Sequence, residues 1–252
     1  MKKVARRLGF VLSIGIIFLG IFLGFHETKS YSILKVEELI EEKRKQNYMG
    51  EKEDRNLSTY VNPFPTIRAE YQNQNIMGKV EIPALKITTW ITRAADNSYY
   101  LNHNIYNQKD LLGSPFFDFR NTDLVHDKQI NIYGHNTNKK EYADRLPLIN
   151  LEAYTDEKIF KNYNDVYLSI DEKQIHYEVI AVKVITEKED EHMHIHFSDS
   201  GEYLGHMSKL LDKTMYKQED LELSKDSRLL ILQICHYQPI HTYLLVICCE
   251  KA

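Results

Sequence analysis

Leu229-Leu230-Ile231-Leu232-Gln233-Ile234-Cys235 is a nearly continuous apolar run of strand length that ends in a cysteine. A second stretch, Ile132-Tyr133-Gly134-His135-Asn136, brings an alternating Ile and Tyr strand to an end in Gly-His. The glycine is expected to let the chain turn sharply and present His135 at the strand end. A thiol at the mouth of one rigid strand and an imidazole at the end of another are what a cysteine nucleophile requires. The histidine can stabilise a thiolate or protonate a departing amine. Each piece taken alone is weak: a free cysteine in an apolar strand is more often core, and a histidine after glycine is more often a loop residue.

Outward from these two stretches, further short runs rich in β-branched and aromatic residues read as strands over 79–82, 87–92, 114–119, 166–170, 175–185 and 243–249. Short strands with turn-rich gaps predict a sandwich or barrel. Helices are expected over 141–151 and 201–216. Ahead of the strands, Ile33, Val36, Leu39 and Ile40 recur at helical spacing, so 32–47 reads as a helix. Gly50, Pro63 and Pro65 break 48–65 into a linker, and a short helix is expected over 66–72.

The first 25 residues carry Lys2, Lys3, Arg6 and Arg7 and no acid, whereas the whole chain has a net charge of -4. The remaining body is therefore acidic, which argues against a nucleic-acid partner. Leu8 to Phe25 is uncharged and apolar, and at about 1.5 Å per residue it reaches about 27 Å, near the thickness of a bilayer core. No small-x-small cleavage site follows in His26-Glu27-Thr28-Lys29-Ser30. The expectation is an uncleaved signal-anchor in the cell membrane, crossing once, with a cytoplasmic N-terminus and the body outside. The chain has three cysteines, Cys235, Cys248 and Cys249. An odd number in an exported protein leaves at least one thiol unpaired, and the adjacent Cys248 and Cys249 read as core packing.

The order of several segments resembles the class B sortases over roughly 76–251. Gly78-Lys-Val-Glu-Ile-Pro83 resembles the stretch that opens the family's barrel. Asp96-Asn97-Ser98-Tyr99-Tyr100-Leu101-Asn102-His103 is similar to its DN-x-YYL-NH segment, and Gly113-Ser-Pro-Phe-Phe-Asp118 to its G-x-IF-x-D strand. Tyr133-Gly134-His135-Asn136 resembles the strand that carries the family's catalytic histidine. The resemblance implies a mainly β fold, a closed sortase-type barrel of about eight strands with N-terminal helices and short inserted helices. It implies a tail and transmembrane helix over 1–29, a helical linker over 30–75 and the catalytic barrel over 76–252. It further implies a Gram-positive cysteine transpeptidase with Cys235 as nucleophile and His135 as acid/base, using neither a metal nor an organic cofactor. Its partners would be secreted proteins bearing a C-terminal sorting signal of the NPxTx kind, and the amine of a peptidoglycan precursor.

Two departures from the family stand out. Leu232-Gln233-Ile234 replaces the usual TLxT before the cysteine, and no arginine follows Arg228, although the family carries one on the strand after the cysteine. Aligning Tyr243-Leu244-Leu245-Val246 with that strand puts Thr242 at the arginine position, with His241 beside it. Arg228 is seven residues from Cys235, so on one strand the two side chains face opposite ways. Loss of an oxyanion donor commonly costs about 10²–10³ in rate. The alternative function is therefore a catalytically weak, sortase-like surface protein that binds peptides or scaffolds envelope proteins. His192, His194 and His196 would share one face of a strand and could hold a metal, but residues two apart on a strand sit awkwardly far apart for one ion, and a solvated loop is the simpler reading. Asp118 and Asp123 read as turn and strand-end residues, and Trp90 and the tyrosines as packing.

Overall fold

The computed structural model describes residues 62–239 and 241–251. The proposed tail and anchor over 1–29 and the helix over 32–47 lie outside them. Among the described residues no helix is long and apolar enough to cross a membrane. The expected single-pass membrane location is accordingly withdrawn, since no described element supports it.

The first element, α1 (Phe64–Glu70), has Pro65 in its opening turn, where a missing N–H and a fixed φ cost nothing. A proline read as a breaker is thus the start of the helix, which buries Phe64 edge-on against Trp90 at 5.5 Å. Strands β1 (Ile76–Ile82), β2 (Ile87–Thr92), β3 (Phe116–Phe117) and β4 (Gln129–Gly134) follow, then β5 (Asp165–Ile170) and β6 (Lys173–Thr186). Two-residue β7 (Tyr216–Lys217) precedes β8 (Leu229–His236) and β9 (Thr242–Glu250). Hydrogen bonding runs β5-β1-β2-β3-β4-β8-β9-β6, and pairing of β5 with β6 closes eight strands into a barrel, with β7 added beside β6. Most pairs are antiparallel; β2–β3 and β4–β8 are parallel.

The inserted helices are shorter than expected. Pro147 interrupts the 141–151 region read as one helix, which divides into α2 (Lys140–Ala143) and a 3-10 stretch over Ile149–Thr155; a further short helix, α3 (Glu157–Asn162), follows it. The later helix, α4 (Ser200–Leu210), is capped by the Asp199 carboxylate, which accepts from the Glu202 amide. Past it, Tyr216 and Lys217 turn to pair with β6.

Strand β8 sits at the centre of this arrangement. Leu230, Leu232 and Ile234 fill the barrel interior with Leu244, Val246, Ile130 and Ile132. Leu229 and Ile231 face outward, where Tyr203, Met207 and Leu210 of α4 cover them. A strand buried on both faces reads as a continuous apolar run and not as an alternating one, which explains the composition of 229–234. Gln233 and Cys235 continue the outward face and are only half-buried.

Candidate active site

Strands β4 and β8 run parallel with Ile132 beside Leu232 and Gly134 beside Ile234. His135 directly follows the last residue of β4, and Cys235 directly follows Ile234 and is the penultimate residue of β8. Gly134 has no left-handed φ. A Cβ there would instead lie 2.8 Å from Leu148 Cδ1, so the glycine makes room for a side chain packed over the strand end and forms no sharp turn.

A buried polar network ties the two strand ends together. The Asn136 side-chain amide donates to Cys235 O at 2.8 Å and to Glu152 Oε1 at 2.7 Å. Glu152, from the 3-10 stretch, also accepts from His236 Nδ1 at 2.9 Å. A carboxylate of this kind only accepts, so that ring nitrogen carries the proton. The Tyr237 hydroxyl donates to Asn136 O at 3.0 Å. None of Asn136, Glu152 and His236 was singled out from the sequence as a site residue. Asn136 lies within a quoted motif, but Glu152 is 84 positions from His236 and carries no local signal.

His135 Nε2 lies 2.7 Å from the Leu101 carbonyl, an acceptor only, which holds the ring proton on Nε2 and leaves Nδ1 as the basic nitrogen. That carbonyl is itself well fixed. Asp96 accepts from the Ser98 and Tyr99 amides, Tyr99 stacks on His103 at 4.1 Å, and the buried Tyr100 hydroxyl bonds Asn73, Asn75 and Asn107. Gly113, at φ +56°, lets the chain return against this turn; a Cβ there would fall 2.3 Å from Tyr100 O. The segment resembling DN-x-YYL-NH therefore builds a rigid carbonyl for the histidine.

Burial pushes the Cys235 thiol up, offset in part by the amides of Asn136 and of Cys235 itself. Among the described residues no hydrogen bond joins Cys235 to His135. Thr242 is 5% exposed and pairs with His236, its hydroxyl turned to the Pro239 and His236 carbonyls at 2.6 and 3.2 Å. His241 stands at φ +63° with its side chain 81% exposed, 3.7 Å from Glu187. The residue opposite Cys235 in the antiparallel β8–β9 register is Tyr243. Thr242 points to the other face of the sheet.

Below the site, Asp118 is fully buried and receives a two-pronged bond from Arg120 at 2.8 and 2.7 Å, with Tyr133 and Asn97 on its second oxygen. Burial alone would raise this carboxyl, but the Arg120, Tyr133 and Asn97 bonds outweigh it and hold it at about 2. The folded value lies below the ordinary one, so the stabilisation is complete above about pH 4 and is lost as pH falls through about 2. Asp118→Asn is expected to cost about 2 kcal/mol, discounted because Arg120 keeps partial contact with water. Urea denaturation of both forms should converge between pH 4 and pH 2. A constant difference across that window would show that the ion pair contributes nothing.

The three alternating histidines do not share a face. His192 is buried in a 3-10 turn (Glu191–Met193), His194 pairs with Glu202 at 3.0 Å, and His196 is exposed.

The closed eight-stranded barrel is the fold of solved class B sortases. No family model matches the chain. Sortase B of Listeria monocytogenes is 26% identical over 170 residues, 65% of this chain, and the chain spans 63% of the length of that relative. The solved sortase B of Clostridium perfringens superposes with a TM-score of 0.67 at 23% identity, covering 75% of this chain and 100% of the other. Sortase B from Bacillus anthracis gives 0.64 at 21%, covering 91% and 98%. The chain shares the fold of these solved class B sortases and is similar in sequence to the Listeria sortase B.

Proposed function

We propose that the chain is a sortase-type cysteine transpeptidase whose catalytic unit is the barrel over 76–252. Cys235 Sγ attacks the carbonyl carbon that follows threonine in a C-terminal sorting signal of the NPxTx kind. Because burial raises the thiol, the thiolate forms on demand, its proton passing to His135 Nδ1. The same proton then goes to the departing amine as the C–N bond breaks, leaving a thioester on Cys235. An amine of a peptidoglycan precursor attacks the thioester, the thiol is released, and the substrate protein is joined to the wall. Neither metal nor organic cofactor is needed for these steps.

The observation that supports the reading is the parallel β4–β8 register, whose last pair, Gly134 with Ile234, immediately precedes His135 and Cys235. Incubating the full chain with a panel of sorting peptides and analysing it by mass spectrometry should reveal an acyl adduct on the peptide containing Cys235. The raised thiol and the absent arginine favour a second reading, a weak enzyme that mainly binds peptides. Peptide binding by calorimetry with no adduct at any peptide concentration would select it.

A further inference from the structure

We propose that the Tyr243 hydroxyl is the donor that binds the substrate carbonyl oxygen as Cys235 attacks, in the place of the family's arginine; this rests on the transpeptidase reading above. Three observations lead there. First, Cys235 and Tyr243 are direct partners in the antiparallel β8–β9 ladder, and directly opposed residues project from the same face with Cβ atoms about 5 Å apart. A carbonyl carbon bonded to the sulfur would hold its oxygen within reach of the neighbouring side chain.

Second, the other candidate groups are occupied or turned away. The Thr242 hydroxyl bonds main-chain carbonyls on the inner face, the Tyr237 hydroxyl is held by Asn136 O, and Arg120 is held by Asp118. Arg228 pairs with Glu250 at 2.7 Å at the opposite end of β8. Among the described residues the Tyr243 hydroxyl has no hydrogen-bond acceptor of its own.

Third, the phenol keeps its proton. Burial, with Cys235 and Glu187 adding to it, pushes Tyr243 above the ordinary tyrosine range. A neutral phenol is a true donor, though weaker than a guanidinium. It stabilises the oxyanion more than the ground-state carbonyl, so its effect belongs to the acylation step.

Tyr243→Phe keeps the ring that packs on the outer cluster and removes only the hydroxyl. The test is single-turnover acylation of Cys235 in the full chain by a sorting peptide, with p-nitrophenyl acetate as a sequence-independent acyl donor. The Phe variant should acylate about 10²-fold more slowly with KM little changed, and Tyr243→Arg should restore the rate to the native level or above it. A Phe variant that acylates at the native rate overturns the proposal while leaving the transpeptidase reading intact. So does a loss produced by His241→Ala and not by Tyr243→Phe. If the native chain is acylated by neither reagent, the transpeptidase reading falls and this assignment with it.

Discussion

Cys235→Ala is expected to yield no acyl adduct with any sorting peptide, while the melting temperature should stay within about 3 °C of the native value. The expected loss is complete because no other thiol can replace it. Cys248 is fully buried in the barrel interior, and burial pushes its thiol far up. Cys249 is half-buried like Cys235, but it lies at the opposite end of the sheet, beside Leu229 in the β8–β9 register. Six residue steps along β8, from Leu229 to Cys235, separate the two sites, or about 20 Å at about 3.3 Å per residue. The stability change is small because a half-buried sulfur at a strand end removes little packing, about 1 kcal/mol, which moves the midpoint of a domain this size by a few degrees. Thiol reagents alone would not separate Cys235 from Cys249, since both are partly accessible; the substitution does. An adduct that persists in Cys235→Ala would move the nucleophile elsewhere.

His135→Ala is expected to lower the acylation rate by about 10³-fold, within the range that general acid/base catalysis supplies. The histidine has two tasks in the proposed sequence, taking the thiol proton and giving it to the leaving amine. Its side chain is only part-buried and its one strong bond is to the Leu101 carbonyl, so its removal should leave the barrel folded. The loss should be largest near neutral pH. Above the raised thiol range Cys235 ionises without help, and an activated ester with a good leaving group then needs no acid. The measurement is the pH dependence of p-nitrophenyl acetate acylation in both forms. A loss that does not narrow as pH rises would assign His135 a role in shape and none in proton transfer.

The sequence by itself determined the fold class and the two strand ends. The apolar run 229–234 and the alternating 130–133 encode strands through side-chain period alone, and local chemistry of that kind is readable without a partner. Several ordered segments, each keeping its own turn residues, then carried the resemblance to a barrel family. Helix boundaries were less legible, because Pro65 opens a helix or ends one depending on which flanking residues are helical.

Tertiary structure decided which side chains share a face. A strand shifted by one residue presents every side chain to the opposite side, so the seven residues between Cys235 and Tyr243 could put Thr242 or Tyr243 beside the thiol with equal ease. Hydrogen bonding of β8 to β9 fixed the choice on Tyr243. Glu152 likewise joins the site only because the barrel folds a distant 3-10 turn under His236, and His192 leaves its two alternating neighbours because that stretch turns and does not extend. Contacts between residues far apart in the chain depend on how strands register and how loops return, and no local pattern of residue types carries that information.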